Sequence, residues 1–428
     1  MKTAYSPVPS CGPTPASMLL CLLLTIWPVS VWAAPDEDLL GRAQGYPVGQ
    51  ASNWFSQESV RVGSFTHQGE IQGLMNGGVR ELAPSAQPLT LQRSATEPAY
   101  RWHIDALRNL GVDDFLARQR VMGLLVIKDG VIQLERYQYR RGPQHRFVSN
   151  SIAKSLVSLA VGLALQEGLL HSLDDPAQRY APSLTGSLYG PVRLRDLLRM
   201  ASGLRFTERY DGIDDLERFG RAAAREGLEA AAQQLGTRAA PPGERFNYAS
   251  ADTIALTLVL RGATGMGLSE YLQGRLWEPM GAEMSALWRT DRLGVEIASG
   301  NFNAGLRDYG RLGMLLAHDG QRPDTGRQIL PRDYLVEATD ARRHPALFTP
   351  GQATPYFGYG YQFWTFPGRA RRFALLGVYG QMIFVDPALK LVMVQTSANA
   401  KPHARDTSLA READAFWRGL VAYYGGSW

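Results

Sequence analysis

Two sets of strand-like runs, separated by a long helical stretch, constrain this chain most. Val121-Met122-Gly123-Leu124-Leu125-Val126-Ile127 reads as a buried strand, Lys128-Asp129-Gly130 carries a turn, and Val131-Ile132-Gln133-Leu134-Glu135-Arg136-Tyr137 returns. An Asp-Gly pair between such runs signals a hairpin, because its tight turn needs positive φ at both positions. Far downstream, residues 359–364 read as another strand, 373–376 and 382–385 flank a glycine-rich link, and 391–396 is the most strongly patterned run. Between these sets, from about residue 170 to 290, the pattern is helical: 194–200 ending at Ser202-Gly203, then 229–235 and 251–261. Residues 411–424 close the chain as a helix. Strands at both ends with helices between them predict a sheet built from distant segments plus a helical insertion. Residues 35–115 alternate short apolar pieces with Gly, Ser, Pro and Gln, which predicts an N-terminal arm with a short helix near Asp105 to Leu110.

Soon after the hairpin, Phe147-Val148-Ser149-Asn150-Ser151-Ile152-Ala153-Lys154-Ser155-Leu156 sets a Ser-x-x-Lys pair at the start of a strongly helical segment. Residues three apart share a helix face, so Ser151 Oγ and the Lys154 amine come within hydrogen-bond reach. Serine is a weak nucleophile until a neighbouring base takes its proton. Lysine can be that base when burial lowers its pKa. The run Leu156, Val157, Leu159, Ala160, Val161, Leu163 predicts a helix buried nearly all round, with Gly168 near its end. The spacing alone arises by chance on any helix. Composition favours chemistry: basic residues are nearly all Arg, and Lys occurs only at Lys2, Lys128, Lys154, Lys390 and Lys401. An isolated lysine on an apolar helix suits a site that needs an amine able to lose its proton, which arginine is not.

Such a pair needs a second proton handler and an oxyanion hole. Pro241-Pro242-Gly243-Glu244-Arg245-Phe246-Asn247-Tyr248-Ala249-Ser250 offers a rigid turn leading to Tyr248 and Ser250. Tyr248 can relay a proton. It can equally be an ordinary half-buried tyrosine, with Ser250 a helix N-cap. Gly377-Val378-Tyr379-Gly380-Gln381 offers glycines for close backbone approach on an edge strand, or simply a bulge. Other chemistries fit poorly. There is no Gly-x-Ser-x-Gly elbow, P-loop or dinucleotide fingerprint. The seven histidines are isolated, with no metal-binding spacing, so no metal or cofactor is expected. Asp174-Asp175 beside Pro176 reads as a turn and helix start.

The start of the chain carries Lys2, an apolar run over 18–27 broken by Pro28, and Val31-Trp32-Ala33-Ala34 before Pro35. That pattern predicts a cleavable signal peptide over 1–34 and a periplasmic or secreted protein. Both cysteines, Cys11 and Cys21, lie in it, so the mature chain has no thiol chemistry or disulfides. Lipid attachment at Cys21 is disfavoured by Leu19-Leu20. No later run is long enough to span a bilayer. About 390 residues then remain, large for one compact unit. The formal charge of +5 is small and its arginine clusters are scattered, which argues against nucleic acid as a partner.

Several motifs in order resemble the penicillin-recognising serine hydrolases, the superfamily of serine β-lactamases, D-Ala-D-Ala carboxypeptidases and related esterases. They are most similar to the branch containing 6-aminohexanoate-dimer hydrolase. Ser151-Ile152-Ala153-Lys154-Ser155, Leu197-Leu198-Arg199-Met200-Ala201-Ser202-Gly203-Leu204, Phe246-Asn247-Tyr248-Ala249-Ser250, Leu276-Trp277-Glu278-Pro279-Met280-Gly281, Leu306-Arg307-Asp308-Tyr309-Gly310-Arg311 and Gly377-Val378-Tyr379-Gly380-Gln381 carry the resemblance, over roughly 50–425. It implies an α+β fold: an antiparallel sheet flanked by helices with an inserted all-helical subdomain at about 170–290, all within a hydrolase domain over 116–428. It implies Ser151 as nucleophile, Lys154 as base, Tyr248 as proton relay, and the Ser151 and Gln381 backbone N–H groups as oxyanion hole. Ser250, Tyr379 and Gly380 fall at substrate-binding positions. Two departures stand out. Ser250 replaces a frequent Asn, and Val378-Tyr379-Gly380 replaces Lys-Thr-Gly, whose lysine holds the substrate carboxylate. Arg371 or Arg372 would compensate only by reaching the cleft. The implied function is hydrolysis of small amides or esters, with β-lactamase or carboxypeptidase activity, or a catalytically weak binding or sensing role, as alternatives.

Overall fold

The computed structural model describes residues 34–403 and 409–428, and isolated positions before residue 7; residues 7–33 of the predicted signal segment, with Cys11 and Cys21, lie outside the described residues. The arm supplies α1 (Glu58–Thr66), β1 (Val79–Leu82), β2 (Gln92–Arg93), the hairpin β3–β4 (Trp102–Ile104, Leu107–Leu110) and α2 (Val112–Arg118). Then come β5 (Val121–Lys128), β6 (Val131–Tyr137), β7 (Arg146–Val148) and α3 (Ile152–Gln166). The helical stretch holds α4 (Leu194–Leu198), α5 (Asp215–Glu226), α6 (Leu228–Gln233), α7 (Ser250–Thr264) and α8 (Leu268–Leu272). It is followed by β8 (Ala286–Arg289), β9 (Phe302–Gly305), α9 (Leu306–Ala317) and α10 (Arg332–Thr339). The chain ends with β10 (Gly358–Tyr359), β11 (Trp364–Thr365), β12 (Phe373–Gly377), β13 (Gln381–Asp386), β14 (Leu391–Ser397) and α11 (Leu409–Tyr423).

The main sheet has the order β10-β11-β12-β13-β14-β5-β6-β2, antiparallel except for the β2–β6 pair. The two ends of the chain meet where β14 pairs with β5. Asp129 and Gly130, with φ of 48° and 82°, make the β5–β6 turn that the Asp-Gly pair predicts. Alternation then splits each central strand between two cores. Leu125, Ile127, Val392 and Val394 face the core that contains α3 and α9, whereas Leu124, Val126, Leu391 and Met393 face α2 and α11. Each such side chain, fully buried, stabilises the fold by roughly 1.5–3 kcal/mol. A second sheet, β1-β8-β9-β7, joins the arm to the far end of the helical stretch and delivers the chain into α3.

Two local expectations are corrected. Residues 105–110 form the turn and second strand of a hairpin, not a helix. Asp105 turns at φ 49°, and Trp102 is buried with its indole Nε1 donating to Gly111 O at 2.8 Å. Burying that indole favours the hairpin, and the helix starts only at Val112. Residues 359–364 make two short strands, not one. Gln362 turns the chain at φ 62°, and its buried amide bonds Leu197 O, Leu198 O and Thr253 Oγ1.

The arm is built into the core through Arg61 on α1, which is 1% exposed. Its guanidinium donates to Asn399 O (2.8 Å), Ser56 O (2.9 Å) and Phe55 O (3.3 Å), and lies 4.3 Å over the Tyr379 ring. Arg61→Ala would strand three carbonyls and leave a cavity. We expect a loss of about 3 kcal/mol in urea denaturation; unchanged stability would show that the arm is only loosely held.

Candidate active site

The turn from β7 into α3 is held before any side chain acts. Ser149 N–H donates to Phe302 O at 2.7 Å on the neighbouring β9. Asn150 takes φ 44°, a left-handed conformation that Asn tolerates, and its Nδ2 donates to Val378 O at 2.9 Å. Gly377 is needed here: a Cβ on it would lie 2.3 Å from Ser149 O. The expected edge strand is therefore the tip of the β12–β13 hairpin, pressed against the residues that precede Ser151.

Ser151 is the N-cap of α3, 9% exposed, and its backbone N–H has no acceptor among the described residues. Lys154, one turn on, is 1% exposed on a helix buried from Ile152 to Ala164. Its Nζ lies 2.9 Å from Ser151 Oγ and donates to Ser299 O at 2.6 Å. A carbonyl only accepts, so one Lys154 N–H is committed to Ser299. A neutral amine can then turn its lone pair to the serine hydroxyl. Burial pushes Lys154 down from 10.5 to about 8, with the Glu208 carboxylate opposing the shift.

Tyr248 lies with its ring centroid 5.1 Å from Lys154 Nζ and stacks on Trp364 at 5.4 Å. Burial and Glu208 push its phenol well above the usual tyrosine range, and hydrogen bonding to Ser151 offsets part of this. Burial and Glu208 raise the Tyr210 phenol too. Glu208 accepts from Tyr210 OH (2.6 Å), Ser250 Oγ (3.0 Å) and Ser250 N–H (2.9 Å). One carboxylate thus ties the loop after Ser202-Gly203 to the start of α7.

The structure brings Ser151, Lys154 and Tyr248 together. Ser250 reaches this cluster through Glu208 and does not bond the nucleophile. Gln381 starts β13 opposite Gly377, and its side-chain amide is spent on Ser397 O and Ser397 N–H. Tyr379 is 5% exposed, its ring enclosed by Arg61, Phe55 and Phe65, and a Cβ on Gly380 would meet Asn399 and Ser397. The Tyr379 phenol is thus no ready replacement for a strand lysine. Arg371 pairs with Asp319, and Arg372 with Asp386, so neither supplies a cation to the cleft. Glu208, Tyr210, Ser299 and Trp364 were not legible as site residues. Glu208-Arg209-Tyr210 lies in a loop without periodicity, and Ser299 contributes only a backbone oxygen, which any residue carries.

The Beta-lactamase family model matches residues 112–415, and the chain belongs to that family. It is 26% identical over 339 residues to the 6-aminohexanoate-dimer hydrolase of Paenarthrobacter ureafaciens, spanning 76% of this chain and 85% of that protein. Its fold superimposes on a Bacillus anthracis protein assigned as a 6-aminohexanoate-dimer hydrolase, with TM-score 0.76, 22% identity and 87% and 96% of the two chains covered. It also superimposes on the octameric penicillin-binding protein homologue of Pyrococcus abyssi, with TM-score 0.56, 19% identity and coverage of 74% and 76%.

Lys154 also sets a stability signature. Its folded pKa, about 8, lies below its ordinary 10.5, so between these values the unfolded chain binds more protons. Stability should therefore rise with pH through that window, by about 3 kcal/mol in all. Wild type measured against Lys154→Met, in urea at pH 7 and pH 10.5, should gain that amount. A difference that does not change with pH would mean that Lys154 titrates normally.

Proposed function

We propose that this protein is an exported serine hydrolase that cleaves small amides or esters through an acyl-enzyme on Ser151. The observation that carries the reading is a buried lysine amine 2.9 Å from a serine hydroxyl, with its other hydrogen bond to a backbone carbonyl and no direct carboxylate partner among the described residues. Neutral Lys154 takes the Ser151 proton as Oγ attacks the carbonyl carbon. The tetrahedral oxygen develops charge between the backbone N–H groups of Ser151 and Gln381, the first at the N-terminus of α3. Tyr248 passes the proton to the leaving amine or alcohol, its raised pKa keeping the phenol protonated and able to donate. Lys154, protonated in the first step, restores the proton Tyr248 gave up; neutral again, it takes a proton from the incoming water and returns it to Ser151 Oγ as the acid leaves.

The site disfavours a fixed substrate carboxylate. Val378 stands where a cation would be, and Glu208 adds negative charge beside the nucleophile. Stripping water from a carboxylate without a positioned cation is expensive. This favours nitrophenyl butyrate, or an amide with an uncharged acyl group, over benzylpenicillin. Export rests on the leader pattern, and N-terminal mass analysis should find the mature chain starting near Ala34 or Pro35.

Ser151→Ala should cut kcat/KM by at least about a thousandfold while the protein stays folded. Lys154→Arg should lose about a hundredfold or more, because guanidinium does not deprotonate. Wild-type kcat/KM should rise with pH along a limb centred near 8. Near wild-type rates in either variant would overturn the mechanism. A penicillin processed as fast as the ester would make the β-lactamase reading the better one.

A further inference from the structure

Tyr248 sits on a segment that is clamped to one loop both before and after it. Before it, Asn247 N–H donates to Met200 O at 2.8 Å, and Asn247 Nδ2 donates to Phe206 O at 3.1 Å and Leu204 O at 3.3 Å. After it, Ser250 N–H and Oγ both donate to the Glu208 carboxylate, at 2.9 and 3.0 Å. Ser250 opens α7 and is 4% exposed. Its N–H is among those that find no carbonyl within the helix, and Glu208 supplies the acceptor. Glu208 is itself set from another side. Asp214, 1% exposed and the N-cap of α5, accepts from Arg209 N–H (2.5 Å), Tyr210 N–H (2.8 Å) and Glu217 N–H (2.9 Å). Asp215 accepts from Thr207 N–H (2.8 Å) and Thr207 Oγ1 (2.7 Å). The residues on both sides of Glu208 are thus pinned to the start of α5, which makes a rigid mount for one carboxylate.

A general acid works only within hydrogen-bond reach of the atom it protonates, and a misplacement of about 1 Å can cost about a hundredfold. We infer that Glu208 is a positioning residue for the proton relay: by fixing Ser250 it fixes the start of α7, and with it the placement of Tyr248 against the leaving group. The inference rests on the relay reading above and adds the group that aims the tyrosine. Glutamine can make the same contacts. Its Oε1 can accept from Ser250 N–H, and its amide N–H groups can donate to the Ser250 and Tyr210 hydroxyl oxygens. Alanine can make none of them.

Ethyl butyrate and nitrophenyl butyrate separate this role from a general one in folding. They share an acyl group, but ethoxide needs a proton to leave and nitrophenolate does not. Glu208→Ala should lower the ethyl-to-nitrophenyl ratio of kcat/KM by about tenfold or more, as Tyr248→Phe does. Glu208→Gln should keep that ratio within about threefold. In a Tyr248→Phe background, Glu208→Ala should move the ratio by less than about twofold, because the two residues act on one step. Glu208→Asp, whose carboxylate is drawn back by one methylene, should lower the ratio by about fivefold and is read in place of Glu208→Ala if that variant fails to fold. With Tyr248→Phe selective against ethyl butyrate, this inference alone would be overturned by an unchanged ratio in the truncated variant, by a tenfold fall in Glu208→Gln, or by additive losses in the double variant. A Tyr248→Phe variant that slows both esters alike, or a wild type inactive on ethyl butyrate, would overturn the relay reading and this inference with it.

Discussion

Most of the proposed chemistry depends on keeping one amine out of water. Lys154 is enclosed by an apolar helix, touches Ser151 Oγ and Ser299 O, and lies near the Tyr248 ring. A charged amine in such a place is costly, and the group responds by titrating closer to neutrality. The same burial that costs the fold stability below pH 10.5 brings the amine's pKa down to about 8, so that part of it is free base near neutrality. Arginine dominates the basic residues elsewhere, and lysine stands at the buried position where the proposed mechanism moves a proton.

The surrounding fold serves that pair. The first sheet segment after the arm, β5–β6, pairs with the last, β14, and so closes the chain around α3. The β12–β13 tip presses on Ser149 through Gly377, while Asn150 bonds Val378 O. Movement of that hairpin would move the serine. On the other side Glu208 gathers Tyr210 and Ser250. In the proposed mechanism, proton traffic would run among neutral donors around a single carboxylate, with no fixed cation for substrate among the described residues.

What could be read from residues alone divides along the range of the interactions. The β5–β6 hairpin was legible because Asp129-Gly130 is a local signal between alternating runs. Ser151 and Lys154 were legible because a helix fixes their separation. Tyr248 was legible only through the motif around it. The hairpin at residues 102–110 was hidden, since the burial of Trp102 against Phe115 and Phe416 is a tertiary choice. Arg61, Glu208 and Ser299 reach the site across long sequence separations, and no periodicity marks them. The missing lysine at Val378 was visible at once, but the structure was needed to see that Arg371 and Arg372 are engaged elsewhere.

The central claim concerns the protonation state of one side chain, and it can be observed directly. The chain has five lysines, one of them within the predicted leader, so carbon-13 labelling of the lysine ε position should give a spectrum simple enough to assign by loss of one signal in Lys154→Arg. Titration of that signal in the folded wild-type protein should show a midpoint near pH 8. A midpoint near the ordinary 10.5 would contradict the account, because the neutral fraction of Lys154 at pH 7 would then fall from about a tenth to less than about a thousandth, too little to serve as the base for Ser151.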